Sequence, residues 1–216
     1  MADSYINIHT HGQSSSHEVI SVYNLMLNEQ RVPILQLFSA GLHPWFADQA
    51  PEDLLLQLSQ LAEQPNFFAY GETGLDKHCS VPFQHQQDIF KLHLEKAIEI
   101  NKPVILHCVK AWDEMIEMAA GYPLPRILHG YNGSLSLTKR LVDKGFYFSI
   151  GKAITNPASK LHHSLPAIPL DQLFCETDDA TISIQAIYEG VGAVLQLKSE
   201  ALRAIILTNF AKIRSA

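Results

Sequence analysis

The chain has 216 residues, 47% of them hydrophobic and 18% charged, with a net charge of −6. That length suits one α/β domain with a sizeable core, and the composition is that of an ordinary globular protein. The acidic balance argues against a broad basic face for tracking long nucleic acid, while leaving room for a local site where metal ions supply the positive charge. Three cysteines (Cys79, Cys108 and Cys175) make no disulfide framework and point to a reducing compartment, the cytoplasm. The N-terminus lacks a charged region followed by an apolar run, so it does not read as a signal peptide. No stretch approaches the ~20 apolar residues of a membrane span.

The first element is a strand, Tyr5 to Ile8, which runs into His9-Thr10-His11. Alternate side chains on a strand share a face, so the two histidines point the same way and suit one metal ion. A polar loop, Gly12 to His17, follows. Glu18 to Tyr23 and Ile34 to Phe38 then read as strands, interrupted at Asn28 to Arg31. Neither connection has the dozen residues of a helical crossover, so 18–38 is expected to form an antiparallel hairpin. From Pro51 the rhythm changes to helices alternating with strands. A helix starts at Pro51-Glu52-Asp53 with Leu54, Leu55, Leu58 and Leu61 as its apolar stripe. Phe67 to Tyr70 is a strand running into Gly71-Glu72-Thr73-Gly74-Leu75-Asp76. A helix from Pro82 turns Phe83, Phe90, Leu94, Ala97 and Ile98 inward. Strand Val104 to Cys108, a helix around Trp112 and Met115, and strand Ile127 to His129 follow. Ser134 caps the next helix, which ends near Gly145. Phe146 to Gly151 is a strand, Asn156-Pro157 opens a short helix, and Leu173 to Asp178 is the last strand. Residues 183–212 are helical, with a soft point at Gly190 and Gly192.

This alternation implies a parallel sheet and an α/β fold. The expected architecture is a distorted TIM-type (β/α)8 barrel over residues 1–216, a single domain. Its first two outer helices are missing and an antiparallel hairpin lies near its N-terminus. The strands end in His9 and His11, Glu72, His107, His129 and Asp178, on the face where such barrels carry their sites. Four histidines and two carboxylates are ligands for first-row divalent metals, Zn, Mn or Ni rather than Ca. Six exceed one tetrahedral site and suit two ions sharing a carboxylate bridge. His17, His78, His85, His93, His162 and His163 read as surface residues, and the three cysteines as core.

IHTH, GLHPW, GETGLD, PVILHC, ILHGYNG and ETD occur in that order along the chain. The set resembles the TatD family of metal-dependent hydrolases, in the amidohydrolase superfamily. The resemblance implies a metal-dependent barrel associated with DNA hydrolysis, using two divalent ions (Zn, Mn, Ni or Mg). By position, it makes His9, His11 and Asp178 ligands of one ion, Glu72 the bridge, and His107 and His129 ligands of the other. His43 falls in the GxHP motif as a neighbour of the ligands. Two places depart from the family pattern. Val109 stands where the family has Arg, and the stretch after ETD, Asp179 to Ile182, lacks the usual Pro- and Arg-rich loop.

The leading expectation is therefore a phosphodiesterase or deoxyribonuclease of the TatD type. Its substrate is a small phosphodiester or a short single-stranded nucleic acid. Metal-activated water attacks phosphorus, and Asp178, with Glu72, does the catalytic work. Lys77, Lys110 and Lys152, each just after a strand end, are candidates with His43 to contact substrate. Trp45 is a candidate to stack a base. An alternative is an amide, ester or lactone hydrolase on the same ions, which the sparse cations favour. A third reading is a non-catalytic metal- or partner-binding protein. Ile6 and Ile8 point away from the site and are expected to be covered by the hairpin, the C-terminal helices or, in a homo-oligomer, another subunit.

Overall fold

The computed structural model describes residues 4–12, 16–27 and 36–214. Eight strands follow one another in chain order: β1 (Tyr5–Thr10), β2 (Val19–Met26), β3 (Leu37–Gly41), β4 (Phe67–Asp76), β5 (Val104–Val109), β6 (Arg126–Leu128), β7 (Tyr147–Ile150) and β8 (Leu173–Cys175). The α-helices are α1 (Leu54–Ala62), α2 (Phe83–Glu99), α3 (Trp112–Met118), α4 (Leu135–Asp143), α5 (Leu161–Ser164), α6 (Ile184–Leu195) and α7 (Ser199–Arg214). Among the described residues no helix stands between β1 and β3. The chain divides into two compact units, Met1–Tyr23 with Ile127–Ser215, and Asn24–Arg126.

In the first unit β2 runs parallel to β1, with Tyr5 opposite Val19 and Asn7 opposite Ser21. In the second, β3 runs parallel to β4 and β4 to β5. The hairpin expected over 18–38 is therefore wrong: the strands of this fold are all parallel. The dozen-residue rule assumes a helical crossover. An extended chain covers ~3.3 Å per residue, so the eight residues between β1 and β2 span ~26 Å, enough to return along a six-residue strand. The expected third strand began at Ile34; Ile34 and Leu35 lie outside the described residues, and β3 starts at Leu37.

Parallel strands are covered on both faces, which explains their apolar runs. Ile6 and Ile8 are fully buried, as expected. Of the covers proposed for them, the C-terminal helices α6 and α7 pack on β1 within the first unit. Tyr188 of α6 makes the contact specific. Its hydroxyl donates to the Ile6 carbonyl at 3.1 Å and accepts from the Ile6 amide at 3.1 Å. Tyr188→Phe leaves both buried backbone groups unpaired. It is expected to cost about 2–3 kcal/mol by urea denaturation, and a loss below 0.5 kcal/mol would show that water replaces the hydroxyl at no cost.

Several local expectations meet corrections. Leu55 and Ile98 face solvent, at 46% and 51% exposure. Leu54 and Leu58 carry the buried stripe of α1, and Phe90, Leu94 and Ala97 that of α2. The C-terminal helical stretch breaks at Gln196, which takes a left-handed φ of 56°, and not at Gly190 or Gly192, which lie inside α6. Ser134 does cap α4, its hydroxyl accepting from the Leu137 amide.

His93 was expected at the surface and is fully buried on α2. Its Nε2 accepts from the Leu42 amide at 3.1 Å, while Nδ1 lies 2.8 Å from the Ile89 carbonyl. One ring thus serves as acceptor to a loop and donor to its own helix, and the imidazole is neutral. Burial pushes its pKa down to about 4. The unfolded chain, with an ordinary histidine near 6.5, binds the extra proton between these values. Stability contributed by His93 is therefore full above pH 6.5 and lost as pH falls toward 4, by about 3 kcal/mol in all. Urea unfolding at pH 7 and pH 5 is expected to show this slope, and His93→Gln to lack that part of it.

Candidate metal centre

In the first unit, the carboxyl end of β1 meets the stretch after β8. Asn7 holds Thr177 twice: its Oδ1 accepts from the Thr177 amide at 3.0 Å, and its Nδ2 donates to Thr177 Oγ1 at 2.8 Å. The Asp178 amide donates to the His9 carbonyl, and the His11 amide donates to the Asp178 carbonyl, both at 3.1 Å. This ladder fixes the backbone of Asp178, at a left-handed φ of 54°, beside both histidines. Its Oδ1 lies 3.6 Å from His9 Nε2 and 3.5 Å from His11 Nε2. His129, just past β6, adds its ring 4.6 Å from that of His9. Ligand atoms of His9, His129 and Asp178 lie within 4.8 Å of one another.

Glu176 stands behind His129. It is fully buried, accepts from the Gly130 amide, and lies 3.5 Å from His129 Nδ1. A carboxylate on one imidazole nitrogen fixes the ring's orientation and turns the other nitrogen outward. The sequence reading missed Glu176. Its signal was present, since it is the first acid of ETD.

The second unit builds a matching cluster. Glu72 lies inside β4 rather than at its end. Its Oε1 is 2.8 Å from His107 Nδ1 on β5 and 3.3 Å from His43 Nε2. The ligand atoms of His43, Glu72 and His107 again fall within 4.8 Å. Asn24 of β2, also missed, steadies the carboxylate. Its Oδ1 accepts from the Glu72 amide at 2.8 Å, and its Nδ2 donates to Glu72 Oε2 at 3.4 Å. Asp76, the last residue of β4, takes the far side of His107, with Oδ2 3.3 Å from Nε2. Burial raises a carboxyl's pKa, but the Trp45 indole N–H, the His78 amide and His107 outweigh it, so Asp76 stays below the ordinary carboxylate range.

Glycines let β4 and β5 approach this closely. Gly71 and Gly74 have φ of 131° and 145°, and a Cβ on either would overlap a β5 carbonyl oxygen, that of Ile105 or His107. The glycines of GETGLD therefore serve close backbone approach beside Glu72.

The expected substrate contacts fare unevenly. His43 is 6% exposed and belongs to the second cluster itself. Lys77 is paired with Glu114, and Lys152 with Asp179 at 2.9 Å. Lys110 is exposed, with a left-handed φ of 57°.

Two imidazoles with a carboxylate, twice over, fit first-row divalent ions. Donors bound to a common ion at ~2.1 Å stand at most ~4.2 Å apart. Each cluster is thus close to the size of a coordination sphere. The ions' number and identity belong to the proposal below.

The architecture matches solved structures. The chain superposes on YJJV, a TatD homologue from Escherichia coli K12, over all of both chains, with a TM-score of 0.85 at 23% identity. It superposes on a TatD family hydrolase from Entamoeba histolytica with a TM-score of 0.81 at 14% identity, covering 99% of each. These likenesses show the fold, a TIM-type (β/α)8 barrel of parallel strands.

The family model of TatD related DNase matches residues 13–213, and the chain belongs to that family. It is 35% identical over 144 residues to an uncharacterized metal-dependent hydrolase, YjjV, of Escherichia coli K12, covering 64% of this chain and 56% of that protein. It is 34% identical over 150 residues to the 3′-5′ ssDNA/RNA exonuclease TatD of Salmonella typhimurium, covering 65% and 56%. The chain thus spans little more than half the length of these curated relatives. Among the described residues no helix is long and apolar enough to cross a membrane.

Proposed function

We propose that the chain is a metal-dependent hydrolase that cleaves phosphodiester bonds in short single-stranded nucleic acid or small phosphodiesters. The carrying observation is the pair of histidine–carboxylate clusters, each held by buried hydrogen bonds. Membership of the family supports it, as does the exonuclease naming of the Salmonella relative. By the family resemblance His9, His11 and Asp178 would hold one divalent ion, and His107 and His129 the other with Glu72 as bridge; the clusters themselves group His129 with His9 and Asp178, and His43 with Glu72 and His107. Bound there, such ions acidify a coordinated water and offset the phosphate's negative charge.

The chain's own groups supply the rest. Asp178 faces two imidazoles with one carboxylate oxygen and keeps part of its side chain exposed, at 28%. In this reading it orients the attacking water and takes its proton at that carboxylate. Glu176, Asp76 and Asn24 hold His129, His107 and Glu72 in register, so no reorganisation is needed at the moment of reaction. Free thiols at Cys79, Cys108 and Cys175 suit a reducing compartment such as the cytoplasm.

A second reading, cleavage of an amide, ester or lactone, has one observation in its favour. Two of the three rim lysines are already spent on acids, leaving few cations for a phosphate chain. The deciding assay compares bis-p-nitrophenyl phosphate and short single-stranded DNA with lactone and amide panels. Phosphodiester turnover that chelation abolishes supports the first reading. Turnover confined to carbon centres supports the second.

A further inference from the structure

Trp45 follows His43-Pro44 at the edge of the second cluster, and it is 53% exposed. It stands in the first turn of a short 3-10 helix, Pro44–Gln49, and its side chain and backbone are held from two directions. Its indole Nε1 donates to Asp76 Oδ2 at 2.7 Å, and Asp76 is 3% exposed and bonded in turn to His107 and the His78 amide. Its backbone amide donates to His43 Nδ1 at 3.2 Å. The His43 ring meets the indole edge-on, with centroids 4.8 Å apart, and the His107 ring lies at 6.4 Å. One of the chain's two tryptophans is thus pinned beside two candidate metal-site imidazoles, with half its surface toward solvent. Tryptophan is ordinarily among the more buried side chains, so burial does not account for its place.

We propose that Trp45 is a fixed stacking platform for one nucleobase of the substrate, next to the His43–Glu72–His107 cluster. This deepens the phosphodiesterase reading and rests on it. A π-face reads every base alike, so the platform gives affinity without sequence preference, and a pre-ordered ring loses little freedom on binding. It also offers grip that does not depend on cations. The rim is short of those: Lys77 is paired with Glu114 and Lys152 with Asp179.

The test is calorimetric titration of the full chain with thymidine 5′-monophosphate and with deoxyribose 5-phosphate. These differ only by the base, and neither is a phosphodiester. The nucleotide is expected to bind at least about fivefold more tightly. Trp45→Leu is expected to bring its affinity down to that of deoxyribose 5-phosphate. Trp45→Phe, which keeps a ring but loses the bond to Asp76, is expected to retain most of the difference. Equal affinity for the two ligands, no nucleotide binding, or Trp45→Phe as weak as Trp45→Leu would overturn the platform. Failure of the wild type to hydrolyse any phosphodiester would instead overturn the functional reading, since the titration involves no hydrolysis.

Discussion

Asp178→Asn is expected to lower kcat on bis-p-nitrophenyl phosphate by about a thousandfold, within the range general acid–base groups contribute. The substitution is nearly isosteric. Asn tolerates the left-handed backbone that Asp178 adopts, at φ 54°. The backbone bonds to His9 and His11 involve no side-chain atom and survive it. What disappears is the negative charge facing two imidazole nitrogens, and with it a proton acceptor. The folded state is expected to persist, with circular dichroism and melting temperature close to wild type. A variant that keeps its fold and turns over within tenfold of wild type would remove Asp178 from the mechanism.

Gly74→Ala is expected to cost about 4 kcal/mol or more, by urea denaturation. Two penalties combine. The residue sits at φ 145°, where an L side chain is strained. Its new Cβ would also overlap the His107 carbonyl oxygen, a backbone atom of the neighbouring strand that cannot swing aside. Against a whole-domain stability of ~5–15 kcal/mol, that is a large share. The displaced strand carries His107, so metal affinity is expected to fall along with stability. A loss under 1 kcal/mol would show that β4 and β5 separate with little resistance.

The parallel alternation from residue 50 onward was legible because each strand is a short apolar run ending in a polar group, and each helix has its own stop. The N-terminal region departs from the expected hairpin because crossover length was judged by the helical case, whereas eight residues are long enough to return along a six-residue strand without a helix. Leu55 and Ile98 sit at helical spacing, but periodicity alone does not say how wide a buried stripe is. His93 has the composition of a surface residue, and only the fold reveals the Leu42 amide that it accepts from.

Within the candidate site, the expected ligands divide differently from the expected pairing: Glu72 lies inside β4, and His129 groups with His9 and Asp178. His9, His11, His129 and Asp178 lie together in the first unit, and Glu72 lies with His107 in the second. Their supports were harder to see. Asn24 lies in a strand with no motif, and its role depends on the strand pairing that the hairpin reading got wrong. Asp76 and Glu176 lie inside quoted motifs, but a carboxylate that holds a histidine carries the same sequence signal as one that holds a metal. His43 joined the second cluster because Glu72 is turned toward it, a matter of side-chain direction that spacing does not encode.

The proposed function assigns two divalent ions to His9, His11, Glu72, His107, His129 and Asp178. Metal analysis of the purified chain and of Glu72→Ala, paired with phosphodiesterase assays before and after chelation, tests it most directly. Two ions are expected per wild-type chain, at most one in Glu72→Ala, with activity that chelation removes and added Zn or Mn restores. Two ions retained in Glu72→Ala, or full activity in the chelated wild type, would contradict it.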